Sequence, residues 1–168
     1  MNRPSRKSNR LADYDYSQNG KYFITICTQN KTCLFWDDAF VGANCVRPHA
    51  IPLSPMGRIV ARQIDRWNQT YPDVWIEQYV IMPNHLHLII CIDHGILDND
   101  RTQTDAKAAT VSRMVKQFKG AVTKHAGQAI WQRSFHDHII RTQADNERIA
   151  TYIQNNPYTW MNDCFYAE

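Results

Sequence analysis

Apolar residues recur along this chain at two periods, and the changes from one period to the other set out a series of strands and helices. Tyr22-Phe23-Ile24-Thr25-Ile26-Cys27-Thr28 is rich in aromatic and β-branched residues and follows the turn pair Asn19-Gly20, which predicts a first strand. Pro48 to Leu53 is a candidate short strand. Ser54-Pro55 then marks a helix start, with a hydroxyl as N-cap and proline in the first turn. Met56, Val60, Ile64 and Trp67 give that helix an apolar stripe, while Arg58, Arg62 and Arg66 run along another face. Trp75 to Met82 and His85 to Ile92 read as two strands joined at Pro83-Asn84.

Asp98 to Asp105 is polar and is expected to be a loop. From about Ala106 to Ala126 the helical period returns. Val111, Met114, Val115, Phe118 and Val122 share one side, and Arg113, Lys116, Gln117, Gly120 and Lys124 gather on the other. Ile139-Ile140 suggests a short strand. A last helix is predicted over Gln143 to Asn155, opened by the capping-box-like Thr142-x-x-Asp145 and stopped by Pro157. Helices and strands are interleaved, yet the tight hairpin forces its two strands to be antiparallel. The expected fold is therefore α+β, a ferredoxin-like or RRM-like antiparallel sheet with helices packed on it. No glycine-rich phosphate loop supports a Rossmann or P-loop reading.

Composition narrows the class without naming a function. With 168 residues, 43% hydrophobic and 21% charged, the chain suits one globular domain. Its longest apolar runs, such as Leu88 to Ile92, are too short to span a bilayer, and the charged N-terminus lacks the apolar stretch of a secretory signal. Five cysteines, odd in number and without a C-x-x-C pair, argue against a disulfide framework or zinc knuckle and point to a reducing cytoplasm. The net charge of +3 says little, but Arg3, Arg6, Lys7 and Arg10 crowd the first ten residues. Residues 1–13 are expected to form a flexible basic arm and 14–168 the folded domain; a merely solubilising tail fits the arm equally well.

Two places carry candidate chemistry. His85-Leu86-His87 lies on a predicted strand, so both imidazoles share one face and form half of a divalent-metal site. Many such pairs are ordinary surface residues, and two imidazoles hold a divalent ion poorly, so a third ligand is needed. The last helix offers one: Tyr152 and Asn156 are one turn apart on one face, and Ile149 and Ile153 can anchor that helix to the sheet. The plain alternative makes Tyr152 a core aromatic and Asn156 a C-cap, pushed out of helical geometry by Pro157.

The string Tyr79-Val-Ile-Met-Pro-Asn-His-Leu-His-Leu-Ile-Ile90 resembles the His-hydrophobic-His motif of single-tyrosine (HUH) transposases, and more closely that of REP-associated tyrosine transposases and their insertion-sequence relatives. Three further segments resemble the same family. They are Tyr14-Asp15-Tyr16 through Thr28, Trp131-Gln132-Arg133-Ser134-Phe135 through Arg141, and Tyr152-Ile-x-Asn-Asn-Pro157. In order they span roughly Tyr14 to Trp160.

The resemblance implies that His85 and His87 are metal ligands, that Tyr152 is the nucleophile, and that Asn156 completes the metal site. It implies Mg²⁺ or Mn²⁺ as cofactor, with imidazole donors favouring Mn²⁺. It further implies single-stranded DNA with an imperfect palindrome or hairpin as partner, cleaved and rejoined through a 5′-phosphotyrosine, by a monomer or homodimer located with the nucleoid of a bacterial cytoplasm. Three neutral ligands would leave the ion its full charge for the phosphate. Arg113, Lys116, Lys124 and Arg133 are candidate DNA contacts, against plain solvation of a basic face. Trp131 and Phe135 are candidates for base stacking, although Trp131 fits a core equally well. A second pair, His136-Asp137-His138, ranks below the first, because the family pattern places variable residues at His136.

Two rival readings stay open. One is a non-catalytic nucleic-acid-binding module of the same fold. The other, a metal-dependent hydrolase unrelated to DNA, needs an acidic group near His85 and His87, and none follows on that strand before Asp93.

Overall fold

A computed structural model describes residues 14–38, 52–96 and 110–166. The expected basic arm, most of the candidate strand at Pro48 to Leu53 and the polar loop at Asp98 to Asp105 lie outside them. Within them, strands β1 (Gly20–Cys27), β2 (Val74–Ile81), β3 (His85–Ile92) and β4 (His136–Ile140) form one antiparallel sheet in the order β2-β3-β1-β4. The helices are α1 (Pro55–Thr70), α2 (Val111–Ala126) and α3 (Gln143–Asn155). With α1 leading from β1 to β2 and α2 from β3 to β4, this is the split βαβ arrangement of a ferredoxin-like fold. The α+β expectation holds.

Period-two alternation divides the two central strands cleanly. Tyr22, Ile24 and Ile26 of β1 and Leu86, Leu88 and Ile90 of β3 are fully buried on one face, covered by α1 and α2. Those two helices meet through stacked Trp67 and Phe118 rings, 5.1 Å apart and nearly parallel. The other face carries Thr25, Cys27, His85, His87, Ile89 and Cys91, and α3 lies over it. Both faces of β3 are thus covered, which is why all eight of its residues are buried.

Local signals set the helix starts. The Ser54 hydroxyl accepts from the Gly57 amide at 3.0 Å, with Pro55 in the first turn. Gly57 is needed there for closeness: a Cβ at this position would stand 2.1 Å from the Phe35 carbonyl oxygen. Helix α2 opens at Val111, where Thr110 is extended and its hydroxyl caps the Arg113 amide; residues 106–109 of the expected span lie outside the described residues. Its apolar stripe, Val111, Met114, Val115, Phe118 and Val122, is the buried side. Gly127 closes the helix in the left-handed conformation at φ 68°, where a side chain would be strained.

Helix α3 runs over the predicted span, with Thr142 accepting from the Asp145 amide. Its end departs from expectation. Asn156 stays helical at φ −53° and ψ −44°, and the chain continues as a 3₁₀ turn over Asn156–Asn162. Pro157 stands at the start of that turn, where its missing N–H costs no hydrogen bond. A β-bulge between Ile76 and Gln78 lets Glu77 reach across the sheet face toward α3. Its carboxylate accepts from Asn146 Nδ2 at 2.9 Å and from the Cys91 thiol at 3.2 Å, and pairs with Lys21. Gln78 donates to the Ala150 carbonyl at 3.0 Å. These polar ties, with buried Ile149 and Ile153, fix how α3 sits on the sheet. No helix among the described residues is long and apolar enough to cross a membrane.

Candidate active site

His85 opens β3 and His87 follows on the same face, with Leu86 turned into the opposite layer. The pair is not the half-exposed surface feature that its spacing alone allows: His85 is 0% and His87 1% exposed. Their Nε2 atoms converge to 3.0 Å. Each Nδ1 has its own partner. Asn84 Oδ1 lies 2.8 Å from His85 Nδ1, and the Thr25 hydroxyl lies 2.9 Å from His87 Nδ1.

Asn84 decides the tautomer of His85. Its Nδ2 donates to the carbonyls of Lys31 at 3.1 Å and Phe165 at 2.8 Å, so the atom facing His85 is the oxygen, which can only accept. His85 Nδ1 therefore carries the proton and Nε2 the free lone pair. Thr25 satisfies either tautomer of His87, because a hydroxyl both donates and accepts.

Helix α3 brings Tyr152 to this point. Its hydroxyl lies 3.2 Å from His87 Nε2, while the ring packs edge-on against His87 and Phe23. Tyr152 is 40% exposed, so it is no core aromatic. Asn156, one turn on, is 1% exposed, and neither its Oδ1 nor its Nδ2 has a hydrogen-bond partner. Leaving a buried carboxamide unpaired costs on the order of 1–3 kcal/mol, so Asn156 is a candidate to complete the site.

A fifth residue was not legible in the sequence. Asp163 follows the 3₁₀ turn, and its Oδ2 lies 3.9 Å from His85 Nε2 with the side chain almost wholly buried. One ligand atom each from His85, His87 and Asp163 falls within 4.8 Å of the others. The acidic group that β3 lacks is thus supplied by the C-terminal segment, and the candidate ligand set is not wholly neutral. Phe165 comes with it, its ring 4.7 Å from that of His85 and 6.2 Å from that of His87.

Burial governs the charges here. It holds the His85 imidazole down to about 3, helped by Lys31, and His87 likewise to about 3, helped by its neighbour His85. Both are neutral, as metal ligands must be. Burial, then the Asp163 carboxylate, pushes the Tyr152 phenol up to about 12, with nearby Asn156 acting the other way. The donor set fits a divalent ion: two ligands at right angles on an octahedral ion with bonds of about 2.1 Å stand about 3.0 Å apart.

The Transposase IS200 like family model matches residues 58–156, more than half of the chain and inclusive of both histidines, Tyr152 and Asn156. The chain belongs to this transposase family. An "Uncharacterized protein" of Haemophilus influenzae is 36% identical over 97% of this chain and 94% of its own length. A second protein of that organism, named "Putative REP-associated tyrosine transposase", is 23% identical over 85% of this chain and 73% of its own length. Among solved structures, a REP-associated tyrosine transposase bound to a REP hairpin superposes with a TM-score of 0.61 at 21% identity, covering 88% of this chain and 72% of that one. It shares the α+β fold.

The other sequence candidates divide within this family fold. Arg113, Lys116 and Lys124 are exposed on α2, across the sheet from Tyr152, so they do not join the histidine site. Arg133 is exposed in the loop before β4, beside the site's end of the sheet: neighbouring Gln132 donates to the carbonyl of Cys27, the strand partner of His85. Trp131 and Phe135 are buried, and Trp131 packs on Phe35 and Phe118; both are core residues rather than base-stacking platforms. His138 Nε2 is held by Asp145 at 2.7 Å, tying β4 to α3, and neither His136 nor His138 falls in a cluster of metal-ligating side chains among the described residues.

Proposed function

We propose that this transposase-family chain is a metal-dependent enzyme that nicks and rejoins single-stranded, hairpin-bearing DNA through a covalent link between Tyr152 and a 5′-phosphate. One observation carries this reading: a tyrosine hydroxyl, 3.2 Å from His87 Nε2, stands at the point where two neutral imidazoles converge to 3.0 Å. Family membership supports it, as does the fold shared with a protein whose solved structure holds a REP hairpin.

His85, His87 and Asn156, with Asp163 beside them, would hold Mg²⁺ or Mn²⁺. A divalent ion there supplies charge neutralisation of the scissile phosphate and polarises it toward attack. Everything else falls to the chain's own groups. Asn84 and Thr25 orient the imidazoles through Nδ1 and keep Nε2 directed inward. Tyr152 Oη attacks phosphorus; the new O–P bond replaces the P–O3′ bond, and the departing oxygen takes a proton to become a 3′-hydroxyl. The phenolic proton can leave to solvent on the exposed side of Tyr152. The phosphotyrosine retains the energy of the broken diester, so a second 3′-hydroxyl can reverse the step and join strands without water. Because α3 docks on its own sheet, one chain carries the whole arrangement; a homodimer would carry two.

Arg133, with Arg113, Lys116 and Lys124 of α2 further round the molecule, is assigned to phosphates along the bound DNA. Each such contact steepens the salt dependence of binding. The test is to incubate the protein with labelled single-stranded hairpin DNA and Mn²⁺ and resolve the products on a denaturing gel. A protein–DNA adduct that disappears with EDTA is expected. Bound but uncut DNA would leave a non-catalytic binding module instead. Cleaved ends without an adduct would make Asp163 the base of a hydrolase.

A further inference from the structure

The second His-x-His pair has no place in the chemistry above, yet it lies on the same sheet face. In the β1–β4 register His136 sits opposite Thr25 and His138 opposite Phe23, while on the other side Thr25 sits opposite His87. The row His136–Thr25–His87 therefore crosses three strands with its side chains on one face. The two histidines of the pair then part. His138 bonds Asp145 Oδ2 at 2.7 Å, and Asp145 Oδ1 takes Arg148 at 2.6 Å, which straps β4 to the first turn of α3. His136 is exposed; its imidazole has no hydrogen-bond partner among the described residues and lies 6.5 Å from the Phe165 ring.

We infer that His136 is a phosphate-binding residue for the DNA strand as it leaves the scissile position over β4. This rests on the proposed DNA-cleaving function and names the path of its substrate. Two strand spacings, about 10 Å, separate the His136 and His87 backbones. That is too far for His136 to share an ion with His85 and His87, and near enough for its imidazole N–H to meet a neighbouring phosphate. Its surroundings suit an anion. Lys119 is held by the carbonyls of Gln132 and Ser134 in the loop that feeds β4, and exposed Arg133 stands between them. Thr25, between His87 and His136, is buried, so the strand would run from Tyr152 past the Phe165 ring, 6.2 Å from that of His87 and 6.5 Å from that of His136, to His136 and then to Arg133.

The test pairs a protein change with a phosphate change. A hairpin-bearing single-stranded oligonucleotide is selected from a random pool by binding to the full-length protein. Neutral methylphosphonates are then placed one at a time along it. A hydrogen bond to a charged group is worth about 1.5 kcal/mol, or roughly tenfold. His136→Ala should weaken binding of unmodified DNA about tenfold, and one methylphosphonate position should weaken wild type as much. The two losses should not add when combined, and His136→Gln, which keeps an N–H donor, should recover part of the loss. Additive losses at every position, or unchanged binding by His136→Ala, would overturn the inference. His138→Ala should lower thermal stability without singling out any phosphate. Binding is read with or without strand cleavage, so a missing adduct would defeat the transposase chemistry while leaving this phosphate contact to stand or fall separately.

Discussion

Asn84 offers a quantitative test of the site's construction, because its side chain does two separable things. Its Oδ1 fixes the Nδ1 proton of His85, and its Nδ2 ties the carbonyls of Lys31 and Phe165 to the hairpin turn. Substituting Asn84→Ala removes three hydrogen bonds at a position 1% exposed. At about 1 kcal/mol net each, and with buried partners left unpaired, folding stability should fall by about 3–4 kcal/mol. Loss of an orienting partner to a metal-ligating histidine typically weakens metal binding 10–100-fold. Asn84→Asp keeps an acceptor for His85 but turns a carboxylate on two carbonyls, so it should lose stability while retaining more metal affinity than alanine. Urea denaturation gives the first quantity. Titration with Mn²⁺, followed by the loss of the free-ion electron paramagnetic resonance signal, gives the second on protein shown to be folded. Folded Asn84→Ala that binds Mn²⁺ within twofold of wild type would refute the tautomer argument.

Three further outcomes follow from particular contacts. Burial alone would raise the Glu77 carboxyl, but bonds from Asn146, Lys21 and Cys91 outweigh it and hold it below its usual 4.5. Its stabilisation is therefore present above that value and lost as pH falls through the lower folded one; Glu77→Gln should flatten the acid limb of stability measured against pH. His94 bonds the Ser17 carbonyl and Asp73, each at 2.6 Å, and is raised above 6.5, chiefly by the Ser17 bond. Its contribution should be complete below 6.5 and fade as pH rises through the raised value, a decline that His94→Gln should abolish. Gly57→Ala places a methyl against the Phe35 carbonyl, and the melting temperature should fall as for a change of about 2–3 kcal/mol.

Much of this fold can be read directly from local patterns. Thr142, Asp145 and the Ile149–Ile153 stripe define α3 because caps and periodicity act within a few residues. Ser54-Pro55 does the same for α1. The His85–His87 face follows from strand alternation alone. What pattern could not supply is contact between distant segments. Nothing near Asp163 in sequence points to a histidine on β3, and Thr25 meets His87 only through the register of two central strands. The basic side of α2 is legible as solvent-facing, but periodicity does not tell which side of the sheet the helix covers. Sequence therefore marks Arg113, Lys116 and Lys124 as candidate DNA contacts without telling that α2 lies across the sheet from Tyr152. Trp131 and Phe135 resemble a clamp in sequence and fill the core in space, because an aromatic's fate depends on neighbours from other elements. Thr110 is different: its capping hydroxyl is a local signal that could have moved the start of α2 to Val111.

In the proposed reaction Tyr152 is the residue that carries the DNA strand covalently. The most direct measurement is mass spectrometry of the protein after reaction with single-stranded hairpin DNA and Mn²⁺, nuclease trimming and proteolysis. A nucleotide remnant joined through phosphate to the peptide containing Tyr152 is expected, absent from Tyr152→Phe and from EDTA-treated samples. A remnant on another residue, or cleaved DNA with every tyrosine unmodified, would contradict it.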